Sequence, residues 1–357
     1  MEIFAIIMAG GEGTRFWPLS RQQMPKHLIN ISGNDIMINE TIKRLSGVIP
    51  LDHILVITNK KQSENMNRMI LSDLPRKNII IEPEGRNTSA CIAYAAMVVR
   101  SRCENGIMCI LPSDHHITGT ESFGNALKTA CMVTHETGKL ITIGIKPTFP
   151  SSGYGYIKYQ KENMPYKNVY EVEEFIEKPP VNTARKYLEE DCYFWNSGMY
   201  VWKVSTILEN LQRYLPRLFN KMMKIQKFIG TEKEEEAVGS VYTALQNISI
   251  DYAVLERSND VLVIPGDFEW NDVGSWDTLG TIFPTDENGN IIKARHLGID
   301  TKNSIIYGED RLIATIGLEN FIIADTDDAL LICPKGKAQE VKSLVSRLKS
   351  RHMDEYI

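Results

Sequence analysis

No two of the six cysteines in this 357-residue chain (Cys91, Cys103, Cys109, Cys131, Cys192, Cys333) form a C-x-x-C pair, which argues against a zinc or disulfide framework. Several lie in apolar stretches, as buried reduced thiols do. A positive balance is missing too. Forty Lys and Arg face 45 Asp and Glu, a formal charge of -5, which excludes a nucleic-acid partner held by an overall basic surface. No long apolar run occurs at the start: Met1–Ala9 has no basic leader and its apolar character stops at Gly10. Neither a signal sequence nor a membrane span is expected there, so no membrane partner is foreseen and cytoplasmic residence is the expectation. Hydrophobic residues at 43% and charged residues at 24% describe an ordinary globular chain, not a disordered or collagen-like one.

Short apolar runs alternate with stretches of helical period in the first half, the pattern of βα units on a largely parallel sheet. Ile3–Met8, Ile54–Thr58, Ile79–Glu82, Ile107–Leu111 and Leu140–Ile145 read as strands. Ile38, Ile42 and Leu45 recur at helical spacing, and Thr88 is a candidate cap for a helix through Arg100. These features predict an α/β, Rossmann-like open sheet, whose ligands sit beyond the carboxyl ends of the strands. Strands are then expected at Gly155–Tyr159, Val169–Ile176 and Gly198–Trp202. Helices are expected at Val181–Glu189, Ser205–Phe228 and Glu232–Leu245. The charged run Thr231–Glu236 reads as a solvated helix start. Beyond Phe283-Pro284, short runs from Ile291 to Cys333 separated by Gly, Asn and Asp turns suggest a β-rich, β-helix-like annex closed by a helix over Lys335–Lys349. Domains are therefore expected at 1–283 and 284–357, with the annex a candidate for self-association as a homodimer.

Directly after the first strand comes Gly10-Gly11-Glu12-Gly13-Thr14-Arg15, with Pro25-Lys26 a little further on. Glycines let backbone amides approach a phosphate chain, and Arg15 and Lys26 can neutralise it. The loop is not a kinase-type P-loop, since no Gly-Lys-Ser/Thr follows. It is not a dinucleotide fingerprint either, since Phe16 stands where the third glycine belongs. Asp114 follows an apolar run, and from the local sequence alone it reads equally as a ligand and as a turn former. His115 and His116 at successive positions point oppositely on a strand, so they make a poor chelate. Glu177-Lys178, read alone, is solvent-facing charge.

The segment Gly10–Arg21 resembles the G-G-x-G-T-R-x-W-P-L-S-R signature of sugar-phosphate nucleotidylyltransferases, in the form typical of mannose-1-phosphate guanylyltransferases. Pro25-Lys26, Glu82-Pro83 with Arg86-Asn87-Thr88, Leu111–His115, Phe175–Pro179, Asn196–Gly198 and Trp270–Trp276 follow in family order. Two departures, Phe16 for a usual Leu and His27-Leu28-Ile29 for a common Gln-Phe-Leu, leave the charged groups intact.

The resemblance implies attack of mannose 1-phosphate on the α-phosphorus of GTP, giving GDP-mannose and pyrophosphate with Mg²⁺. Like charges at about 4 Å repel by roughly 4 kcal/mol at an effective dielectric near 20, so the reaction needs cations at its centre. The resemblance assigns Asp114 and Asp272 to the ion, Gly10, Gly11, Gly13 and Thr14 to the nucleotide, and Arg15 and Lys26 to its phosphates. Arg86, Asn87 and Thr88 would open a helix beside the nucleotide, with Glu82 accepting from the guanine edge. Lys178 would grip the sugar phosphate, Glu177 its hydroxyls, with Gly155 and Asn196 completing that pocket. The rival enzyme reading is a glucose-1-phosphate thymidylyl- or adenylyltransferase. A rival of another class is a catalytically silent nucleotide-sugar sensor. An added isomerase domain is not expected, because the stretch after Phe283 is too short for a cupin-like barrel.

Overall fold

A computed structural model describes all residues, 1–357. Strands β1 (Ile3–Ala9), β2 (Ile54–Asn59), β3 (Ile79–Glu82), β4 (Ile107–Pro112), β5 (His116–Ile117) and β6 (Leu140–Ile145) alternate with helices α1 (Met37–Ser46), α2 (Ser63–Met69), α3 (Asn87–Arg102) and α4 (Thr120–Thr137). There follow β7 (Tyr156–Tyr159), β8 (Tyr170–Ile176), α5 (Val181–Glu190), β9 (Tyr193–Lys203), α6 (Val204–Tyr214), α7 (Pro216–Ile225), α8 (Glu234–Tyr242), α9 (Ile250–Ala253), β10 (Val261–Pro265) and β11 (Trp270–Asn271).

The main sheet has nine strands in the order β3-β2-β1-β4-β9-β6-β10-β8-β7. β1 to β4 are parallel, as are β6 and β10, and β9 runs antiparallel between β4 and β6. Alternation along β1 builds two cores: Phe4 and Ile6 face one side of the sheet, Ala5, Ile7 and Ala9 the other. On the first side α3 is buried without a break from Ser89 to Val99, because it lies between the sheet and α6 and α7.

Several elements around the main sheet differ from the sequence expectation. The helix expected over Ser205–Phe228 is two, because Pro216 has no N–H to donate and starts α7 instead. Thr88 does not cap α3. The helix begins at Asn87, and the Thr88 hydroxyl accepts from Ile250 N at 2.8 Å. The strand of the Asn196 region is longer than Gly198–Trp202, running from Tyr193 to Lys203.

The annex carries β12 (Ile291–Ile299), β13 (Ile305–Ile316), β14 (Phe321–Asp325) and β15 (Leu330–Pro334) in one sheet, the first three parallel. Ser304–Tyr307 and Leu312–Ile316, two separate apolar runs in the sequence, fall in a single strand, Ile305–Ile316, apart from Ser304 just before it. Tyr307 pairs with Lys293 and Leu312 with Arg295, so residues 308–311 bulge out and hide the continuity. Helix α10 (Val341–Ser350) begins later than Lys335, after a turn at Lys335-Gly336 and a 3-10 turn at Ala338–Glu340. The annex docks through a shared apolar core. Phe16, Trp17, Val273 and Trp276 pack with Ile305, Ile322, Val341 and Val345. Trp17 Nε1 donates to Tyr356 O at 2.7 Å, and Trp276 Nε1 to Trp17 O at 3.1 Å. The aromatic pair following the glycine loop is thus the mortar of the domain contact.

Candidate active site

Beyond β1 the chain turns through Gly10–Gly13, whose amides donate to no acceptor within the protein. Their carbonyls are tied from behind: Gly10 O by Asn59 Nδ2 at 3.2 Å, Gly11 O by Gln62 Nε2 at 3.2 Å, Gly13 O by the Ser20 hydroxyl at 2.8 Å. Donors left free and acceptors held back make a cradle for an anion. Gly13 is fixed twice over. Its φ is 62°, and a Cβ there would lie 2.5 Å from Lys26 Cβ. Thr14 and Arg15 form a 3-10 turn that leaves Arg15 exposed.

Lys26 is buried, and its ammonium has two partners. Nζ lies 2.8 Å from Asp114 Oδ2 and donates to Asp272 O at 2.7 Å. A two-stranded ribbon brings these aspartates together. β5 pairs antiparallel with β11, His116 opposite Asn271, so the turn after β4 and the turn after β11 converge. Asp272 Oδ1 accepts from the Tyr154 hydroxyl at 2.8 Å and Gly274 N at 3.1 Å. Burial pushes the Asp114 carboxyl up, but Lys26, and after it His115, outweigh this and hold it at about 2. Its side chain keeps about a third of its surface open (35%), so this carboxylate is both ionised and reachable.

Asp114 Oδ1 and Asp272 Oδ2 accept no hydrogen bond from the protein. No cluster of three or more His, Cys, Asp or Glu side chains gathers into a metal cage. Two hard carboxylate oxygens facing a phosphate cradle fit Mg²⁺, which takes one or two carboxylates and completes its shell with phosphate and water. His115 is turned the other way, its Nδ1 accepting from Trp270 Nε1 at 3.1 Å. Burial holds it neutral, at about 4.

Glu82, the last residue of β3, is 3% exposed and lies behind Gly10. Its Oε1 accepts from the Tyr242 hydroxyl at 2.6 Å, and its Oε2 has no protein donor. Burial raises this carboxyl to about 7 although the Tyr242 bond works against the rise. The helix start at 86–88 ties most of its polar groups to protein partners. Arg86 Nη2 reaches Glu84 at 2.8 Å and Thr243 O at 3.0 Å, Asn87 Oδ1 accepts from Thr88 N at 2.8 Å, and Ser89 N donates to Ile248 O at 3.3 Å. These residues shape the wall with few donors left over.

Gly155, Glu177 and Asn196 meet next to Tyr154, whose hydroxyl reaches Asp272. Asn196 N donates to Gly155 O at 2.8 Å, and a Cβ on Gly155 would stand 2.6 Å from Glu177 Oε2. Glycine is needed there for lack of room. Lys178, at φ 47°, projects into solvent with its Nζ 2.6 Å from Glu177 Oε1. Tyr154, Asp251 and Tyr242 were not singled out in the sequence. Tyr154 sits beside Gly155 in a Tyr-Gly-Tyr triplet, the one local signal available. Asp251 and Tyr242 stand alone in apolar text.

The nucleotidyl transferase family model matches residues 4–289, and the MannoseP isomerase/GMP-like beta-helix domain model matches residues 294–348. A mannose-1-phosphate guanylyltransferase of Escherichia coli is 36% identical over 97% of this chain and 75% of its own length. Xanthan biosynthesis protein XanB of Xanthomonas campestris is 37% identical over 98% of this chain and 74% of its own. A solved structure named as a mannose-1-phosphate geranyltransferase from Thermus thermophilus superposes with a TM-score of 0.86 at 31% identity, over 98% of this chain and 100% of that one. Sequence, fold and the order of the motifs agree, and the chain belongs to the nucleotidyl transferase family, in the group of the mannose-1-phosphate guanylyltransferases.

Proposed function

We propose that this chain transfers GMP from GTP to α-D-mannose 1-phosphate, releasing pyrophosphate and forming GDP-mannose. The observation that carries the reading is Lys26, buried at the meeting point of the amide cradle, Asp114 and Asp272. A reaction between two anions needs positive charge fixed in advance where they meet, and a cation buried with its partners already in place undergoes little reorganisation.

The free amides of Gly10–Gly13, with Thr14 and Arg15, hold the β- and γ-phosphates, and Lys26 faces the α-phosphate. Arg15 draws charge off the departing pyrophosphate through its planar fork. Asp114 Oδ1 and Asp272 Oδ2 would hold Mg²⁺, which when bound supplies further charge neutralisation between the two substrates. Lys178 takes the phosphate of the sugar phosphate and Glu177 accepts from its hydroxyls, placing the attacking oxygen in line. Glu82 Oε2 accepts from the N–H groups of guanine, beside the wall formed by Arg86, Asn87 and Thr88. No helix is long and apolar enough to cross a membrane, and all six cysteines are free thiols, in keeping with the reducing cytoplasm.

The test is pyrophosphate release by the purified protein with Mg²⁺, comparing GTP, dTTP and ATP against mannose 1-phosphate and glucose 1-phosphate. Highest turnover is expected for GTP with mannose 1-phosphate. Preference for dTTP or ATP with glucose 1-phosphate would replace this reading with its rival, and silence with every pair would leave a sensor.

A further inference from the structure

The Asn196 side chain, which the resemblance assigns to the sugar pocket, makes its hydrogen bonds within the protein. Its Nδ2 donates to Asp251 Oδ1 at 2.8 Å and to the Tyr200 hydroxyl at 3.2 Å, and its Oδ1 accepts from Gly198 N at 3.1 Å. Both N–H bonds and the carbonyl are therefore engaged within the protein. The polar group this network leaves over belongs to Asp251. The Tyr200 hydroxyl also donates to Asp251 Oδ1, at 2.5 Å. Two donors thus converge on one carboxylate oxygen while Oδ2 has none. Tyr200 is buried, whereas Asp251 is only half-buried.

Asp251 also connects to Glu177. Asn196 bridges them, packing on Gly155 against Glu177 and bonded to Asp251. Burial and, after it, the carboxylates of Glu177 and Asp251 push the Glu256 carboxyl up. Two acceptor oxygens without donors, with Lys178 close by, make a poor site for a bare anion and a good one for a molecule carrying hydroxyl donors next to its phosphate. The segment is held from the nucleotide side as well, since Ile250 N donates to the Thr88 hydroxyl at 2.8 Å.

We infer that Asp251 is a specificity-determining residue for the sugar phosphate, its Oδ2 accepting a hydrogen bond from one sugar hydroxyl while Asn196 and Tyr200 hold Oδ1. The inference rests on the proposed sugar-phosphate acceptor site. Asp251→Asn is the informative change, because the two donors behind it require the amide oxygen at the Oδ1 position and put the NH₂ group where the hydroxyl donates. A lost hydrogen bond to a charged acceptor is expected to raise KM for mannose 1-phosphate about tenfold or more. KM for GTP should stay within twofold.

Mannose 1-phosphates lacking one hydroxyl at a time separate direct contact from mere support. With the unsubstituted chain one of them should lose about tenfold in kcat/KM, and with Asp251→Asn that same analogue should lose less than threefold against mannose 1-phosphate. Equal losses in both proteins for every analogue would overturn the inference. So would an unchanged KM. Should Asp251→Asn fail to fold, a structure of the unsubstituted chain with mannose 1-phosphate decides, since a sugar oxygen beyond hydrogen-bond distance of Oδ2 overturns it too. Wild-type turnover is measured first: if only glucose 1-phosphate is used, the proposed substrate fails, and the same series with deoxyglucose 1-phosphates still tests Asp251.

Discussion

Two lysines of the proposed site stand under opposite conditions. The Lys26 side chain is 6% exposed, clamped between Asp114 and the Asp272 carbonyl. That of Lys178 is 58% exposed and touches only its neighbour Glu177. A buried ammonium persists only with its partners in place, so its position is fixed before substrate arrives. An exposed one is screened and mobile, and contributes attraction more than alignment. The nucleotide side of the cleft is therefore preorganised, and the sugar side is completed by the substrate.

The largest effect expected from that contrast is in Lys26→Ala, which should lower kcat for pyrophosphate release by about 10³-fold, roughly 4 kcal/mol of transition-state stabilisation. The pH profile sharpens the point. With Lys26 present Asp114 sits at about 2 and stays ionised at every usable pH. Without it the largest opponent of burial is gone, the carboxyl rises, and residual activity should become more sensitive to acid pH than that of the unsubstituted chain. Lys178→Ala is expected to raise KM for mannose 1-phosphate by about 10- to 30-fold with kcat within threefold, and this defect should shrink as salt rises and screens the wild-type lysine. A Lys178→Ala enzyme slower in kcat than Lys26→Ala would reverse the comparison.

How legible each side was in the sequence follows the same line. β1, β2 and β3 lie within a residue of their expected ends because unbroken apolar runs flanked by Gly, Asn or Pro have no other place in a buried parallel sheet. The glycine loop was legible because its residues are consecutive. The Lys26 contact to Asp272 was not, as it joins positions 246 residues apart through a ribbon whose strands have two residues each, too short for any period to show. Pro216 was a written signal that the helical pattern on both sides obscured. On the sugar side the family text pointed to Asn196, but its amide is bonded to Tyr200, four residues on in the same strand, and to Asp251, 55 residues away, which no local pattern links to it.

Glu82 gives a mid-sized test of the preorganised side. Its carboxyl rises from the ordinary 4.5 to about 7, so between those pH values the folded chain holds a proton that the unfolded chain does not. Stability accordingly falls as pH rises through this window, and the full cost is present above about 7. Glu82→Gln retains an acceptor for Tyr242 and cannot ionise. At pH 8 it should stabilise the fold by about 2 to 4 kcal/mol in denaturant unfolding, with the gain vanishing near pH 4. Discrimination between GTP and ATP should fall by about tenfold. Unchanged discrimination would remove Glu82 from base recognition, and no gain at pH 8 would mean the carboxyl is solvated.

The smallest effect is expected where the annex meets the loop. Lys349 on α10 lies 3.0 Å from Glu12, between Gly11 and Gly13, which makes the pair look like a brace for the cradle. Both side chains are about 40% exposed (40% and 42%), and pairs of that kind contribute about 0 to 1 kcal/mol. The loop is held instead by Asn59, Gln62 and Ser20 behind its carbonyls and by Trp17 and Trp276 in the shared core. Lys349→Ala should therefore change KM for GTP by less than twofold and leave the unfolding midpoint nearly unmoved. A fivefold rise in KM would show that the annex, not only the sheet beneath, sets the loop, and the division between a rigid nucleotide side and a substrate-completed sugar side would then have to run through the domain contact.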